Sequence, residues 1–222
     1  MSREILVTRR GIVAYEEARE LQRRLAERRQ RGEIGDVLLL LEHPPVYTRG
    51  RRSQPAELPM GASWYEAQGI EVRDTDRGGL VTYHGPGQLV AYPIVDLRGY
   101  GDDVHEYVRG LERTMIAALG EAGVRAGTIE GLTGVWVGTR KIGSIGLHVS
   151  RGVTTHGLAI NVNNDLQPFE WVVPCGIEGV SMTSVARELG AEQDLRAFAG
   201  VLVDAYAKVF DREPVVDDSV AA

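Results

Sequence analysis

The chain has 222 residues, of which 43% are hydrophobic and 25% charged, a length and balance that suit a soluble globular protein with one sizeable core. Its formal net charge of −6 argues against a general nucleic-acid binder, although local basic patches remain compatible with it. A single cysteine, Cys175, excludes an internal disulfide and a multi-cysteine zinc site, in keeping with a reducing cytoplasm.

The N-terminal run Met1 to Tyr15 has no apolar stretch of signal-peptide length, so a cytoplasmic location is expected. From Val13 to Arg31, apolar residues recur at Ala14, Ala18, Leu21 and Leu25 among Glu and Arg, which predicts an amphipathic helix stopped at Gly32. Asp36 to Glu42 reads as a fully buried strand, and its core, Val37 to Leu41, is too short to span a bilayer. A break at His43-Pro44-Pro45 leads into an Arg-rich loop carrying Arg49, Arg51 and Arg52.

Short strands are expected at Glu71 to Asp74, Leu80 to His84 and Leu89 to Val95, with Pro93 pointing to an edge position or a bulge in the last. Val104, Tyr107, Val108, Leu111, Met115 and Leu119 trace a second helix face. Strand patterns return at Arg125 to Ile129, Gly134 to Val137, Lys141 to Val149 and Thr154 to Val162. Helices are then expected from Met182 to Leu189 and from Asp194 to Phe210. This irregular mixture argues for an α+β fold in one domain over residues 1–214, with residues 215–222 fraying.

Lys141 and Cys175 stand out chemically. The chain's 25 basic residues include only two lysines, Lys141 and Lys208, so arginine has served almost wherever a positive charge suffices. An amine can lose its proton near neutrality when desolvated, which a guanidinium does not do. Cys175 lies in Val172-Val173-Pro174-Cys175-Gly176, where proline fixes the approach of the chain and glycine leaves an accessible N–H. A free cysteine is often a small buried hydrophobe. A thiol in such a turn, with a deprotonatable amine elsewhere in the chain, also suits acyl transfer with an oxyanion-stabilising amide.

The segment Arg77-Gly78-Gly79-Leu80-Val81-Thr82-Tyr83-His84-Gly85-Pro86-Gly87-Gln88 reads either as a hairpin with ordinary glycine turns or as a substrate cradle. Paired glycines allow close approach to the main chain, and alternation puts Thr82 and His84 on one face and Tyr83 on the other. In the strand from Lys141, Ser144, Gly146 and His148 oppose Ile145, Leu147 and Val149. In the next, Gly157, Ala159 and Asn161 oppose Leu158, Ile160 and Val162. Each strand thus has one bulky face and one small face, which suits either close packing or room for a fatty acyl chain. His84, His148 and His156 fall in these segments, none with metal-ligand spacing, so no metal is assigned.

The stretches RGGLVTYHGPGQL, RKIGSIGLHVSRGVTTHGLAINV and VPCGI, with the earlier EHPPVYTRGRR, closely resemble the lipoyl(octanoyl) transferases in order and spacing from about Glu42 to Leu189. Arg49 departs from the pattern, standing where a neutral residue is more usual. The resemblance implies the α+β catalytic domain shared with biotin and lipoate protein ligases, a mixed or antiparallel sheet flanked by helices. Cys175 would be the acyl-thioester nucleophile, and Lys141 would lower its pKa or exchange protons. The substrate pocket would be formed by Arg77, Gly78, Gly79, Leu80, Val81, Thr82, Tyr83 and His84, by Ser144, Ile145 and Gly146, and by Gly157, Leu158 and Ala159.

Also implied are an octanoyl-acyl carrier protein donor, and as acceptors the lipoyl domains of 2-oxoacid dehydrogenase E2 subunits and the glycine cleavage H protein. The resemblance implies no cofactor and a monomer, with no nucleic-acid or membrane partner. Arg49, Arg51, Arg52, Arg140 and Arg151 would receive the acidic carriers. The alternatives are an ATP-dependent ligase, a hydrolase that releases the fatty acid, and a noncatalytic acyl-binding module.

Overall fold

In a computed structural model, residues 3–172 and 180–221 are described. Their strands are β1 (Glu4–Ile12), β2 (Asp36–Glu42), β3 (Val46–Arg49), β4 (Glu71–Asp74), β5 (Val81–His84), β6 (Gln88–Ile94), β7 (Gly127–Ile129), β8 (Leu132–Val137), β9 (Arg140–Ser150), β10 (Val153–Asn161) and β11 (Glu213–Val216). The helices are α1 (Tyr15–Gln30), α2 (Ala62–Ala67), α3 (Val104–Glu121), α4 (Val185–Leu189) and α5 (Leu195–Phe210). An eight-stranded mixed sheet runs β11-β1-β2-β6-β10-β9-β8-β7, and a three-stranded sheet runs β4-β3-β5. β1 is parallel to both its neighbours, whereas the pairs from β2 through β6, β10, β9 and β8 to β7 are antiparallel.

The unbroken apolar run of β2 follows from burial on both faces, since only a covered strand can hold successive leucines away from water. Val37, Leu39 and Leu41 face α1 with its Ala18, Leu21 and Leu25. Leu38 and Leu40 join the core beneath α3 and α5, which includes Leu111, Met115, Leu202 and Tyr206. Glu16 and Glu17 open α1 and Arg28 and Arg29 close it, matching the helix dipole at each end. Side-chain caps from Asp103 and Asp194 start α3 and α5. A separate aromatic core of Tyr47, Tyr65, Tyr83 and Phe169 holds the small sheet.

Several elements depart from the sequence reading. β1 was not anticipated, and Val46–Arg49, read as loop, is the central strand of the small sheet. Pro93 lies in β6 at the centre of the large sheet rather than at an edge. The irregularity falls on its partner β10, where His156 takes a φ of 57° and the β6 ladder stops at Leu158↔Ala91. Gly157 makes room there, because a Cβ would stand 2.2 Å from the Ala91 carbonyl oxygen and 2.5 Å from Pro93 Cδ. The helix expected from Met182 begins only at Val185, after Ser184 caps it through the Arg187 N–H.

The end of the chain, expected to fray over 215–222, is instead tied down as far as Ala221. β11 pairs with β1, and the Asp218 carboxylate accepts from the Arg9 N–H at 3.0 Å. Val220 and Ala221 are buried in the core beneath α1, and Arg28 donates to the Val220 carbonyl at 3.0 Å. Acidic composition misled here because Asp218 satisfies an edge backbone group rather than facing water.

At the α3–α5 contact, a Cβ on Gly110 would lie 2.4 Å from the Phe210 ring, which Tyr100, Tyr107 and Tyr206 surround. Gly110→Ala should therefore cost about 1–3 kcal/mol by overpacking, measured as a lower urea midpoint at unchanged slope.

Candidate active site

Lys141, near the start of β9, is 5% exposed. Its backbone is held on both sides of the peptide unit by the segment that precedes α4. The Lys141 N–H donates to the Ser181 carbonyl at 2.9 Å, and the Thr183 N–H donates to the Lys141 carbonyl at 2.9 Å. Its Nζ lies 5.3 Å from the centre of the Trp136 ring on β8. Gly134 clears the path of this side chain, since a Cβ there would come within 2.8 Å of Lys141 Cε and 2.6 Å of the Gly143 carbonyl oxygen. The buried Glu112 carboxylate of α3 accepts from the Gly134 N–H at 2.9 Å and anchors this part of β8.

From Lys141 a cleft with a cavity volume of about 70 Å³ follows the small face of β9 and β10. Ser144 pairs with Ala159, and Gly146 with Gly157, so the cleft floor carries little side-chain bulk. Ile160 and Val162 are packed in the core on the opposite side, with Leu147 and Val149 against it, while Leu158 and Ile145 border both core and cleft. The cover is the segment from Arg77 to His84, and Tyr15, Tyr92 and His156 also line the space.

Arg77 is a strut for that cover. Its guanidinium donates to Thr48 Oγ1 at 2.8 Å, to the Thr48 carbonyl at 2.5 Å and to the Gly78 carbonyl at 3.0 Å. Gly50 and Gly146 admit it, because a Cβ on Gly50 would meet the Gly79 carbonyl at 2.4 Å and one on Gly146 would meet the Gly78 carbonyl at 2.9 Å. Gly78 also donates its N–H to the Leu147 carbonyl at 2.8 Å, joining cover to floor.

Three buried histidines stand around the cleft. Burial pushes His43 down to about 4. Its Nδ1 lies 2.7 Å from the Val13 carbonyl and its Nε2 lies 2.7 Å from the Tyr92 hydroxyl. A carbonyl can only accept, so the neutral ring donates from Nδ1 and accepts from Tyr92 at Nε2. Burial also lowers His84 far below the ordinary imidazole range, aided by His43 nearby, and its Nδ1 lies 2.7 Å from Gln88 Oε1. His156 is lowered by burial against the pull of Asp76, 2.8 Å away, and the bond from His156 holds the Asp76 carboxyl below its usual range.

The cleft thus brings together Lys141, Arg77, Gly79, Leu80, Val81, Thr82, His84, Ser144, Ile145, Gly146, Gly157, Leu158 and Ala159. Of the other expected residues, Gly78 acts behind the wall, and Tyr83 points into the small sheet's aromatic core, 5.5 Å from Tyr47 and 5.4 Å from Phe169. Cys175 lies outside the described residues, which stop at Val172 and resume at Val180.

Tyr15 and Tyr92 were not singled out from sequence, because one begins an amphipathic helix and the other sits in a wholly apolar strand. Among the expected docking arginines, Arg49 pairs with Asp74 and Arg140 with Glu188, while Arg51, Arg52 and Arg151 are exposed. Among the described residues no group of three His, Cys, Asp or Glu side chains is placed to hold a metal ion. No helix among them is long and apolar enough to cross a membrane.

Residues 14–207 match the family model described as the lipoyl protein ligase A/B catalytic domain. The chain is 50% identical over 210 residues to an octanoyltransferase of Chloroflexus aurantiacus, covering 93% of this chain and 94% of that one. It is 48% identical over 216 residues to an octanoyltransferase of Chloroflexus aggregans, covering 96% and 98%. Among solved structures, a putative lipoate protein ligase from T. acidophilum with bound lipoic acid aligns with a TM-score of 0.70 at 14% identity, covering 100% of this chain and 93% of that one. That likeness fixes the fold: a single α+β domain with a mixed sheet.

Two predictions follow from the geometry. Gly134→Ala should displace the Lys141 side chain and abolish most turnover while leaving the far-ultraviolet spectrum unchanged. Native stability should also decline as pH falls from about 6.5 towards 4, because the folded state keeps His43 neutral while the unfolded chain takes up the proton. The His43 share is roughly 3 kcal/mol at the acid end of that window, and urea denaturation at stepped pH measures it.

Proposed function

Because the chain belongs to the lipoyl protein ligase A/B catalytic-domain family and, within it, to the octanoyltransferases, we propose that it moves an octanoyl group from octanoyl-acyl carrier protein to a lysine of a lipoyl domain through a thioester on Cys175. The observation that carries this reading is Lys141, a buried amine clamped at one end of a cleft with a small-residue floor. The clamp is the Ser181–Thr183 segment, six residues or more beyond Cys175 in the chain.

In the first half-step the Cys175 thiolate attacks the donor thioester carbonyl, the new carbon–sulfur bond forms and the pantetheine sulfur leaves. An ordinary thiol has a pKa of about 8.5 and is only a few per cent ionised at pH 7, so Lys141 has a proton to accept or a thiolate to hold. In the second half-step the acceptor amine attacks the Cys175 thioester, the amide bond forms as the acyl carbon–sulfur bond breaks and the Cys175 thiolate leaves, and Lys141 takes the proton that the amine sheds. Exchange between thioesters is nearly balanced, so the first half-step needs no ATP.

The cleft's small floor suits the acyl chain. Arg51, Arg52 and Arg151 are the exposed cations left to attract acidic carriers, which narrows the five arginines expected from the sequence. Lipoyl domains are the acceptor class that lipoylation implies, and one protein of similar fold is a bi-partite lipoate protein ligase from Thermoplasma acidophilum studied with its E2 lipoyl domain.

Intact-mass analysis tests this reading. Incubation with octanoyl-carrier and no ATP should add one octanoyl group to the native protein and none to Cys175→Ala, and a lipoyl domain should then remove it as the amide. Transfer that requires ATP and leaves no adduct would favour a ligase, and free octanoate formed equally with and without acceptor would favour a hydrolase. A hexanoyl donor, shorter by two methylenes, should lose about 1.6 kcal/mol of apolar fit, roughly 15-fold in kcat/KM.

A further inference from the structure

We infer that Gln88 and Asn161 are positioning residues, a buried amide relay that holds the Lys141 clamp in register with the cleft. The inference rests on the acyl-transfer reading above and concerns residues that touch no reacting atom. Gln88 opens β6 and Asn161 ends β10, and the two face each other across the ladder. Each is 2% exposed, so neither amide has water as an alternative partner.

The hydrogen bonds run in one direction. His84 lines the cleft, and its Nδ1 lies 2.7 Å from Gln88 Oε1. Gln88 Nε2 donates to Asn161 Oδ1 at 2.9 Å and to the Tyr83 carbonyl at 3.2 Å. Asn161 Nδ2 in turn donates to the Thr183 carbonyl at 3.0 Å. The Thr183 N–H then donates to the Lys141 carbonyl at 2.9 Å. Because Gln88 uses its nitrogen for two acceptors, its oxygen faces His84, which must donate from Nδ1. The relay therefore fixes the His84 tautomer, leaving the lone pair on Nε2, and it fixes the segment that brackets Lys141.

The relay explains why polar side chains sit where an apolar pair would pack. A cross-strand Leu–Leu pair would fill the same space and strand the Thr183 carbonyl and the His84 N–H without partners. The amides let one rigid element set both walls of the site.

The test is single-turnover octanoylation of Asn161→Asp and Gln88→Glu in the full chain, with melting temperature and free-thiol count recorded for each. Asn161→Asp removes the donor to Thr183 while keeping the shape. Its acylation rate constant should fall about 10- to 100-fold near neutral pH, the loss expected for a broken buried hydrogen bond, with KM for the octanoyl-carrier nearly unchanged. Lowering the pH should restore part of the rate, because a protonated carboxyl regains a donor for the Thr183 carbonyl.

Gln88→Glu cuts the relay at its other end and supplies the same comparison if Asn161→Asp does not fold. Folded variants with native rate constants, or variants that raise KM alone, or a pH profile parallel to wild type would overturn the positioning role. Wild-type protein that forms no adduct would overturn the acyl-transfer reading instead, so the two failures are distinguishable.

Discussion

Two backbone hydrogen bonds decide where the amine of this site can be. By exchanging N–H and carbonyl groups with Ser181 and Thr183, Lys141 joins the large sheet to the segment leading into α4. Its side chain is then directed by Gly134, which gives it passage, and by the Trp136 ring, which lies beside its Nζ. A lysine on a flexible stem loses much rotamer entropy when aimed at one point. Fixing the Lys141 backbone through both its N–H and its carbonyl and walling in the stem meets that cost before any substrate arrives.

The second constraint is the shortage of side-chain bulk along β9 and β10. Gly157 is required by the carbonyl of Ala91 and the ring of Pro93, and Gly146 by the Gly78 carbonyl. The glycines that open the cleft are therefore the ones that let the neighbouring strands and the Arg77 loop close around it. Cleft space and packing geometry are met by the same residues, so a larger side chain at either place would disturb the fold as well as the cleft. The buried histidines follow the same economy: His43 ties the Val13 carbonyl to the Tyr92 hydroxyl, and its neutrality comes from the absence of water there.

Much of this was legible in the amino-acid sequence wherever one face of an element repeats. The α1 spacing, the buried β2 run and the paired small faces of β9 and β10 each carry a period that physical chemistry can interpret directly. The stretches that line the cleft were legible from their paired glycines and small faces, and the rarity of lysine drew attention to Lys141. What escaped depends on partners distant in sequence. β1 and β3 have weak patterns and are strands because β2 and β5 pair with them. Pro93 is central because β10 adjusts through His156, and the acidic tail is ordered because Asp218 finds the Arg9 N–H. Tyr15 and Tyr92 enter the cleft wall only when α1 and β6 are brought together, which no local period announces.

The role given to Lys141 as a proton carrier is tested most directly by rapid-quench measurement of both half-steps in Lys141→Arg. Arginine keeps a positive charge but does not act as a base near neutral pH. If the amine moves protons, both steps slow and transfer to the lipoyl-domain lysine fails most completely. Near-native rate constants for both steps in the arginine variant would show that Lys141 supplies charge alone.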